Sequence, residues 1–420
     1  MDIFKKCSQF KDVKRMKKLG FYSYFQAYEP KGSGTVNMDR KSMVMLSSNN
    51  YLGLNNHPKI KEAAISAIKR YGLSLTGSRF LSGTSRLHQQ AEEKVARFKG
   101  EEAALVFGAG YMMNVGTIPA MVNKNDVVIS DEFNHASIID GCKLARTNIK
   151  VFKHNDMKSL EIVLKSIPSK AGKLIIIESV YSMHGDIANI PVIKNLARKY
   201  NARLMIDEAH SMGVFGKKGR GILEYFSMLG EADIVAGTFS KSTAAMGGYV
   251  AAKKDVVEYI RHNARSMIFS AAPPPAVMAG IIAALDIVHD EPERRQKLFE
   301  NTNYFKRELH KMGFSTGQSQ SPILPVHMGD SYTAFRFSKL LLKQRVIAHP
   351  VVYPAVPKGG SIIRCVINAN HSTENLDKAL KAFRNTGEKL GLTKKRPAGK
   401  FANRLSHNIQ KKMFKKIINR

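Results

Sequence analysis

Residues 232–242 read ADIVAGTFSKS and carry the first sign of both the fold and a reaction centre. The apolar residues 232–236 have the composition of a short buried strand, and small polar residues follow before Lys241. An ammonium group is costly to bury, and its pKa falls when water is removed from around it. A neutral lysine amine is a nucleophile of covalent catalysis. Lys241 is therefore a candidate catalytic residue, although a lone lysine after a strand is more often a solvated side chain.

Short apolar runs alternate with helical patterns through the middle of the chain. Residues 103–107, 126–130, 174–178 and 203–207 each have the pattern of a strand, and the run at 174–178 is apolar up to its last residue. This alternation predicts an α/β fold with a mostly parallel, doubly wound sheet that is covered on both faces.

Polar and charged side chains follow these runs where each predicted strand ends. In doubly wound sheets, ligands bind at the carboxyl ends of the strands. The residues at or just after the predicted ends are His135, Glu178, Asp207, His210 and Lys241. Because these ends share one edge of the sheet, we expect the five side chains to form one site.

The pattern divides the chain into four parts. Residues 1–48 form a lysine-rich N-terminal segment, residues 49–290 the large domain that carries the predicted site, residues 291–392 a smaller α+β domain, and residues 393–420 a basic tail. One long helical stretch is predicted from about residue 277 to residue 312.

Composition narrows the class of protein. Of the 420 residues, 44% are hydrophobic and 24% are charged, as in ordinary globular proteins. Cys7, Cys142 and Cys365 are too scattered for a disulfide framework or a metal site, which favours a reducing compartment. We see no signal peptide and no apolar run of about 18 residues, so we expect a cytoplasmic protein without a spanning helix.

Missing motifs exclude several common kinds of site. The sequence contains no G-x-S-x-G elbow of a serine hydrolase and no G-x-G-x-x-G dinucleotide fingerprint. Its histidines show no metal-ligand spacing, so no metal is expected.

The net charge of +32 indicates what kind of partner the protein binds, and it says nothing about the fold. It favours anionic membranes, acidic proteins or anionic cofactors, and nucleic acid is the less expected partner. Residues 394–420 contain ten lysines and arginines and no acidic residue. Apolar residues recur there at every fourth position, which is typical of a basic amphipathic helix on a membrane surface, although a disordered tail fits as well. The recurring residues are Phe401, Leu405, Ile409, Met413 and Ile417.

A strand-end carboxylate, a histidine three residues later and a lysine about thirty residues further on suit pyridoxal 5′-phosphate (PLP). Asp207 would pair with the protonated ring nitrogen, His210 would contact the phenolic oxygen, and Lys241 would bind the aldehyde. His135 is the candidate for stacking on the ring. The phosphate needs backbone N–H groups at a helix N-terminus, which the turn at Gly110 and Tyr111 supplies.

Each of these residues also suits an ordinary structural role when it is considered alone. Asp207 or His135 could cap the helix that follows it, and His210 could be a core histidine. A hydroxyl group of Thr238 or Ser240 could add to the phosphate site. Only the joint arrangement is specific.

Two motifs give a resemblance to a known family. Residues 207–216, DEAHSMGVFG, followed by residues 237–242, GTFSKS, resemble the α-oxoamine synthases, which are fold-type I PLP enzymes. These enzymes condense an amino acid with an acyl thioester and release carbon dioxide. The similarity extends from about residue 45 to residue 383. Within the family, residues 153–157, KHNDM, and residues 261–265, RHNAR, resemble the bacterial serine palmitoyltransferase branch.

The resemblance implies a role for each matching residue. Lys241 would hold the cofactor aldehyde and act as acid and base at the α carbon of the amino acid. Arg364 would bind the carboxylate of the amino acid, and Ser270 would reach the phosphate of a neighbouring subunit, since family members are homodimers. The remaining implied site residues are Asp207, His210, His135, Thr238, Gly110, Tyr111, Ser182, Glu178 and Asn50.

The resemblance also implies a reaction. L-serine and a long-chain acyl-CoA would give 3-oxosphinganine, a step of sphingolipid synthesis. The basic tail, which lies outside the resemblance, would place the enzyme on the inner membrane surface. A glycine or alanine acyltransferase of the same family, with an acyl carrier protein as a possible donor, is the alternative within this chemistry. An alternative of another class is a catalytically silent, polyanion-binding subunit.

Overall fold

The computed structural model describes residues 2–32 and 34–393 of the chain. It contains two compact units. One combines the described residues up to 48 with residues 301–319 and those from 323 onward, and the other comprises residues 49–300 and 320–322. We call them the small unit and the large unit. The basic tail at residues 394–420 lies outside the described residues, and the predicted domain boundaries stay predictions.

The helices alternate with strands through the large unit, as predicted. In chain order the helices of the described residues are α1 (Lys5–Gln9), α2 (Asp12–Leu19), α3 (Pro58–Tyr71), α4 (Arg86–Lys99), α5 (Gly110–Met121), α6 (Ala136–Leu144), α7 (Met157–Lys165), α8 (Ile190–Lys199), α9 (Ile222–Tyr225), α10 (Lys254–Asn263), α11 (Arg265–Ile268), α12 (Pro275–Asp290), α13 (Glu293–Lys311), α14 (Ser331–Lys343) and α15 (Thr373–Leu390), with a 3₁₀ turn at Leu54–Asn56.

The strands fall into three sheets. They are β1 (Glu29–Gly32), β2 (Thr35–Met38), β3 (Lys41–Met45), β4 (Ala103–Phe107), β5 (Val127–Asp131), β6 (Asn148–Phe152), β7 (Lys173–Glu178), β8 (Arg203–Asp207), β9 (Ile234–Thr238), β10 (Gly248–Ala252), β11 (Ile323–Gly329), β12 (Val346–Ile347), β13 (His349–Val351) and β14 (Ser361–Val366).

The large unit is built on a sheet of seven strands in the order β4-β10-β9-β8-β7-β5-β6. The pairs from β9 through to β6 are parallel, and only β10 runs antiparallel to its neighbours β9 and β4. This confirms the predicted α/β fold with a mostly parallel sheet. The register places Glu178 opposite Asp207, and Asp207 opposite Ala236. The strand ends that carry the predicted site therefore lie side by side.

Burial explains why the strands of the large unit read as apolar runs. Every residue of β7, β9 and β10 is buried. Helices cover both faces of such a sheet, so neither face can carry polar residues without a partner. The polar residues are displaced to the strand ends, where the site lies.

The small unit has two sheets, β1-β2-β3-β12 and β11-β14-β13. Its core contains a cluster of aromatic rings that meet mostly edge to face, a favourable geometry for aromatic pairs. Phe314 packs in this way on Phe337 and Phe383, with ring centroids 5.7 and 6.0 Å apart. Near the N-terminus, Phe21 packs on Tyr332 of the same unit.

The predicted single helix over residues 277–312 is wrong. The structure has two helices there, α12 and α13, which are separated by Glu291 and Pro292. Proline lacks a backbone N–H group and disfavours the helical conformation in the residue before it, so the chain leaves the helix at this point.

Among the described residues, no helix is long and apolar enough to cross a membrane. No group of histidine, cysteine and acidic side chains in the same part of the chain could hold a metal ion. Cys142 and Cys365 are buried and Cys7 is exposed, each as a free thiol.

Candidate active site

A cavity of about 240 Å³ lies at the carboxyl ends of the strands of the large unit. This is the space that about eight water molecules fill in the liquid, enough for one compact aromatic molecule. Its lining residues are Ala109, Gly110, Tyr111, Met113, Asn114, His135, Ser137, Glu178, Asp207, Ala209, Gly237, Thr238, Ser240 and Lys241.

Lys241 stands at one end of a polar chain that leads away from the cavity. Its Nζ lies 2.9 Å from Nε2 of His210, and Nδ1 of His210 lies 2.7 Å from the hydroxyl group of Tyr51. Tyr51 and His210 are both buried. The imidazole therefore connects the lysine amine to a phenol that is out of contact with solvent. Tyr51 was not predicted as a site residue, because it is far from His210 in the sequence.

The carboxylate of Asp207 is buried and held by two hydrogen bonds. Asn114 Nδ2 donates to Oδ2 at 2.9 Å, and the backbone N–H group of Ala209 donates to Oδ1 at 2.9 Å. Asp207 therefore orders the turn that follows β8, as a capping residue would, and also faces the cavity.

Asn114 is a site residue that the sequence analysis missed. It lies on α5, and Nδ2 also contacts Oγ of Ser137 at 2.9 Å. Its Oδ1 is buried and has no hydrogen-bond partner among the described residues. The one sequence signal was a lone amide within an apolar helix.

His135 caps a helix, as was considered for it, and it also lines the cavity, while its stacking on a cofactor ring stays a prediction. As the N-cap of α6 it accepts a hydrogen bond from the backbone N–H group of Ser137 at Nδ1, over 3.2 Å. The ring also lines the cavity. Burial lowers the pKa of His135, and the nearby ammonium of Lys241 acts in the same direction, while the carboxylate of Asp207 opposes them. A neutral ring is what the capping bond requires, because Nδ1 must accept.

The far end of the cavity is formed by a helix N-terminus and two hydroxyl groups. Helix α5 begins at Gly110, and the hydroxyl groups of Thr238 and Ser240 lie 3.0 Å apart. A Cβ atom on Gly110 would lie 3.0 Å from Cβ of Thr238. Glycine therefore leaves space next to the N–H groups of the first helical turn, which have no acceptor within the helix and bind phosphate in many proteins.

A family model described as aminotransferase class I and II matches residues 41–383. An 8-amino-7-oxononanoate synthase of Thermoanaerobacter pseudethanolicus is 44% identical over 382 residues, which cover 90% of this chain and 96% of the relative. A serine palmitoyltransferase of Sphingobacterium spiritivorum is 42% identical over 373 residues, covering 89% of this chain and 94% of the relative.

A solved serine palmitoyltransferase of Sphingomonas wittichii superposes with a TM-score of 0.90 at 32% identity, covering 94% of this chain and all of that one. A second solved structure, described as SPT (serine palmitoyltransferase) with PLP, also superposes with a TM-score of 0.90. It is 33% identical, and the match covers 93% of this chain and all of that one. The chain belongs to the α-oxoamine synthase family. It is a PLP-dependent acyltransferase.

The cavity of this α-oxoamine synthase fits PLP. Lys241 offers an amine for the aldehyde and Asp207 a buried carboxylate for a cationic ring nitrogen, while the space at Gly110 suits the phosphate. When bound, PLP supplies an electron sink that stabilises negative charge at the α carbon of the amino acid.

Glu178 adds a second carboxyl group to the cavity of the α-oxoamine synthase. Burial, and next the charge of Asp207, raise the pKa of Glu178 to about 8. Its Oε2 accepts a hydrogen bond from the backbone N–H group of Ser182 at 3.2 Å. Its Oε1 is buried without a partner among the described residues. This carboxyl group therefore holds a proton at neutral pH.

The structure does not bring every predicted residue to the cavity wall. Asn50, Ser182, Ser270 and His210 belong to the large unit but are not lining residues. His210 reaches the cavity only through its contact with Lys241, and Asn50 Nδ2 donates to Oδ1 of Asn55. Arg364 lies on β14 of the small unit. Tyr111 lines the cavity, and its hydroxyl group donates to Asp140 at 2.5 Å. The roles that the family resemblance implies for these residues stay predictions.

Proposed function

We propose that this α-oxoamine synthase condenses L-serine with a long-chain acyl-CoA to give 3-oxosphinganine, the entry to sphingolipid synthesis. The bond from the α carbon of serine to its carboxylate breaks, a carbon–carbon bond to the acyl carbonyl forms, and carbon dioxide and CoA leave. The observation that supports serine is the similarity to solved serine palmitoyltransferases over nearly the whole chain.

The proposed roles are those that the family resemblance implies, and the contacts of Lys241 and His210 support them. Lys241 would hold the cofactor aldehyde and would act as acid and base for the proton at the α carbon of the amino acid. Its Nζ contacts His210, which in turn contacts the hydroxyl group of Tyr51 and so offers a path for a proton. The carboxylate of Asp207 pairs with the ring nitrogen of PLP. His135 packs on the ring face as a neutral imidazole, which keeps the cavity free of a further positive charge beside Lys241.

The remaining residues are proposed to bind the phosphate of PLP and the amino-acid substrate. The amides of Gly110 and Tyr111 and the hydroxyl group of Thr238 bind the phosphate, together with Ser270 from a neighbouring subunit. Arg364 binds the carboxylate of the amino acid through two parallel hydrogen bonds. Glu178, Ser182 and Asn50 shape the space around the amino acid.

The test is a spectral titration of the holoenzyme with serine, glycine and alanine in turn. A change in cofactor absorbance that saturates with serine alone, followed by mass detection of 3-oxosphinganine with palmitoyl-CoA, is the expected result. The variant Lys241→Ala is the control, since it keeps the cavity and loses the amine. Saturation with glycine or alanine and none with serine would overturn the choice of substrate.

A glycine or alanine acyltransferase is the second candidate. The observation in its favour is the 44% identity to an 8-amino-7-oxononanoate synthase. The same titration separates the two candidates, and product formation from an acyl carrier protein thioester but not from acyl-CoA would identify the donor. A preparation that never takes up PLP would favour the silent, polyanion-binding alternative.

We further propose a homodimer. Large apolar side chains of the large unit are left exposed, with Leu73 74%, Leu81 83% and Phe269 72% exposed. Exposed apolar surface of this kind is typical of a contact with another copy of the chain. Sedimentation equilibrium should give twice the mass of 46.7 kDa, and a monomer at micromolar concentration would contradict the proposal.

Peripheral binding to anionic membrane is the proposed location of the reaction. The net charge of +32 supports it, as do Phe4 and Phe10, which are 69% and 60% exposed among the lysines of the N-terminal segment. Vesicles that contain phosphatidylglycerol should sediment the protein, and vesicles of phosphatidylcholine alone should not. Deletion of residues 394–420 should abolish the sedimentation, and an unchanged result would exclude the tail as the anchor.

A further inference from the structure

The imidazole of His154 lies between two carboxylates of the large unit. Its Nδ1 is 3.0 Å from Oδ1 of Asp131, and its Nε2 is 2.9 Å from Oδ2 of Asp186. Asp131 is fully buried, and the side chains of His154 and Asp186 are 17% and 11% exposed. A histidine ring can donate from both nitrogens only when it is protonated. Both contacts together therefore require an imidazolium.

The groups that surround His154 favour its charged form. The hydroxyl group of Tyr181 donates to Oδ2 of Asp131 at 2.9 Å, and Oδ1 is the oxygen that faces the ring. Phe133 packs on the face of the ring at 4.5 Å, and the ring of His184 lies 5.7 Å away. Burial alone would lower the pKa of His154, but the hydrogen bonds and charges of the two carboxylates outweigh it and raise that pKa to about 9.

One of the two carboxylates controls the loop that carries His135. Asp131 is the last residue of β5, and its Oδ1 also accepts a hydrogen bond from the backbone N–H group of Phe133 at 2.8 Å. This bond closes the turn through Asn134 to His135. The side chain of Asn134 then accepts from the backbone N–H group of Glu178 at 3.0 Å.

The other carboxylate belongs to Asp186, a residue of the loop that follows Glu178. The backbone N–H group of Tyr181 donates to the carbonyl oxygen of Asp186 at 3.0 Å, and Gly185 donates back to Tyr181 at 2.8 Å. These bonds form a tight hairpin. Within the hairpin, the N–H group of Ser182 binds the carboxyl group of Glu178. The contact between His154 and Asp186 thus joins this hairpin to the end of β5.

We propose that His154 is a positioning residue whose imidazolium holds together the two loops that present His135 and Glu178 to the PLP cavity, and that loss of its proton releases them. The ring touches neither the cavity nor the cofactor, so it acts through those two residues. The inference rests on the PLP cavity and is independent of the amino acid that the enzyme uses.

Deprotonation leaves the two carboxylates in unequal positions. A neutral ring keeps one N–H group and can donate to only one of them. Asp131 retains Tyr181 and two backbone donors, whereas Oδ1 of Asp186 is buried without a partner among the described residues. The N–H group that remains is therefore favoured on Nε2, towards Asp186. The hydrogen bond from Nδ1 to Asp131 is the one that is lost, and the link between the hairpin and the end of β5 opens.

The experiment is an equilibrium titration of the protein with PLP, followed by cofactor absorbance, at pH values from neutral to above 9. In the unchanged protein the affinity should fall as the pH passes about 9, where His154 loses its proton. His154→Gln should weaken binding about tenfold at neutral pH, the effect of one hydrogen bond to a charged group. The affinity of this variant for PLP should also show no further fall as the pH passes about 9.

A second variant tests whether the charge of the His154 ring matters, and not only the presence of the ring. Asp186→Asn keeps the shape of the side chain and removes one of the two charges that favour the imidazolium. The alkaline fall in PLP affinity should then occur at lower pH. The matched control is His262→Gln, since the ring of His262 also lies beside a carboxylate, that of Glu258, but is 52% exposed. This variant should leave both the affinity for PLP and its pH profile unchanged.

Three outcomes would overturn the inference. They are a His154→Gln protein that binds PLP as tightly as the unchanged protein, an alkaline fall that persists in His154→Gln, and an Asp186→Asn protein whose fall stays at the same pH. If His154→Gln does not fold, the test is the pH at which the PLP affinity of Asp186→Asn falls. A fall at the same pH as in the unchanged protein would then overturn the inference. Absence of turnover with serine would contradict the proposed substrate and leave these binding results as they are.

Discussion

Glu178→Gln should make the protein more stable at pH 8 than the unchanged chain, by a margin that grows with pH. In the folded protein, burial raises the pKa of Glu178 from 4.5 to about 8. Between these pH values the folded state holds a proton that the unfolded state has lost, so stability falls as the pH rises. The difference of about 3.5 in pKa, at about 1.36 kcal/mol for each unit, amounts to about 5 kcal/mol over the whole titration, of which about 4 kcal/mol falls between pH 4.5 and pH 8.

The assay is urea unfolding of the protein without PLP at a series of pH values between these limits. The free energy of unfolding of Glu178→Gln minus that of the unchanged protein should rise steadily up to pH 8 and become constant above it. The matched control is Glu62→Gln, on an exposed position of α3, which should show no such rise. A difference for Glu178→Gln that is independent of pH would refute the assignment of a protonated carboxyl group in the cavity.

Three further predictions concern single contacts. Asn114→Leu removes the side-chain amide that donates to Asp207 and Ser137. We expect the free energy of unfolding, measured with urea, to fall by about 3 kcal/mol. A fall below about 1 kcal/mol would contradict the assigned contacts. Gly110→Ala places a Cβ atom 3.0 Å from Thr238, so PLP should bind at least about tenfold more weakly by absorbance titration while the melting temperature is unchanged. Lys99→Met breaks a fully buried ion pair with Glu208 and should cost about 3–5 kcal/mol of stability; the double variant with Glu208→Leu should recover part of it, and additive losses would contradict the pairing.

The strand ends could be predicted because they follow a simple physical rule. A strand covered on both faces is apolar along its length, and a polar residue directly after it marks the edge of the sheet. Asp207 and Lys241 were found in this way, and the structure places both at the cavity. The helix break at Pro292 is equally visible in the sequence, but the periodic pattern on both sides of it favours one continuous helix.

Other parts of the site depend on contacts between distant segments. The hydroxyl group of Tyr51 meets His210 across 159 positions of the chain, and Asn114 meets Asp207 across 93. No local pattern encodes such a pair. The antiparallel direction of β10 is of the same kind, because it follows from the short return from β9 rather than from its own residues.

The buried pair of Lys99 and Glu208 has a consequence for how the enzyme responds to salt. Glu208 directly follows Asp207, and its partner Lys99 is likewise completely removed from solvent. Mobile ions screen exposed charges over about 8 Å at physiological ionic strength, but they cannot enter between two buried groups. The attraction to anionic surfaces that we propose for this chain, with its net charge of +32, should therefore weaken as salt is added. The ion pair that holds the segment next to Asp207 should keep its strength under the same conditions.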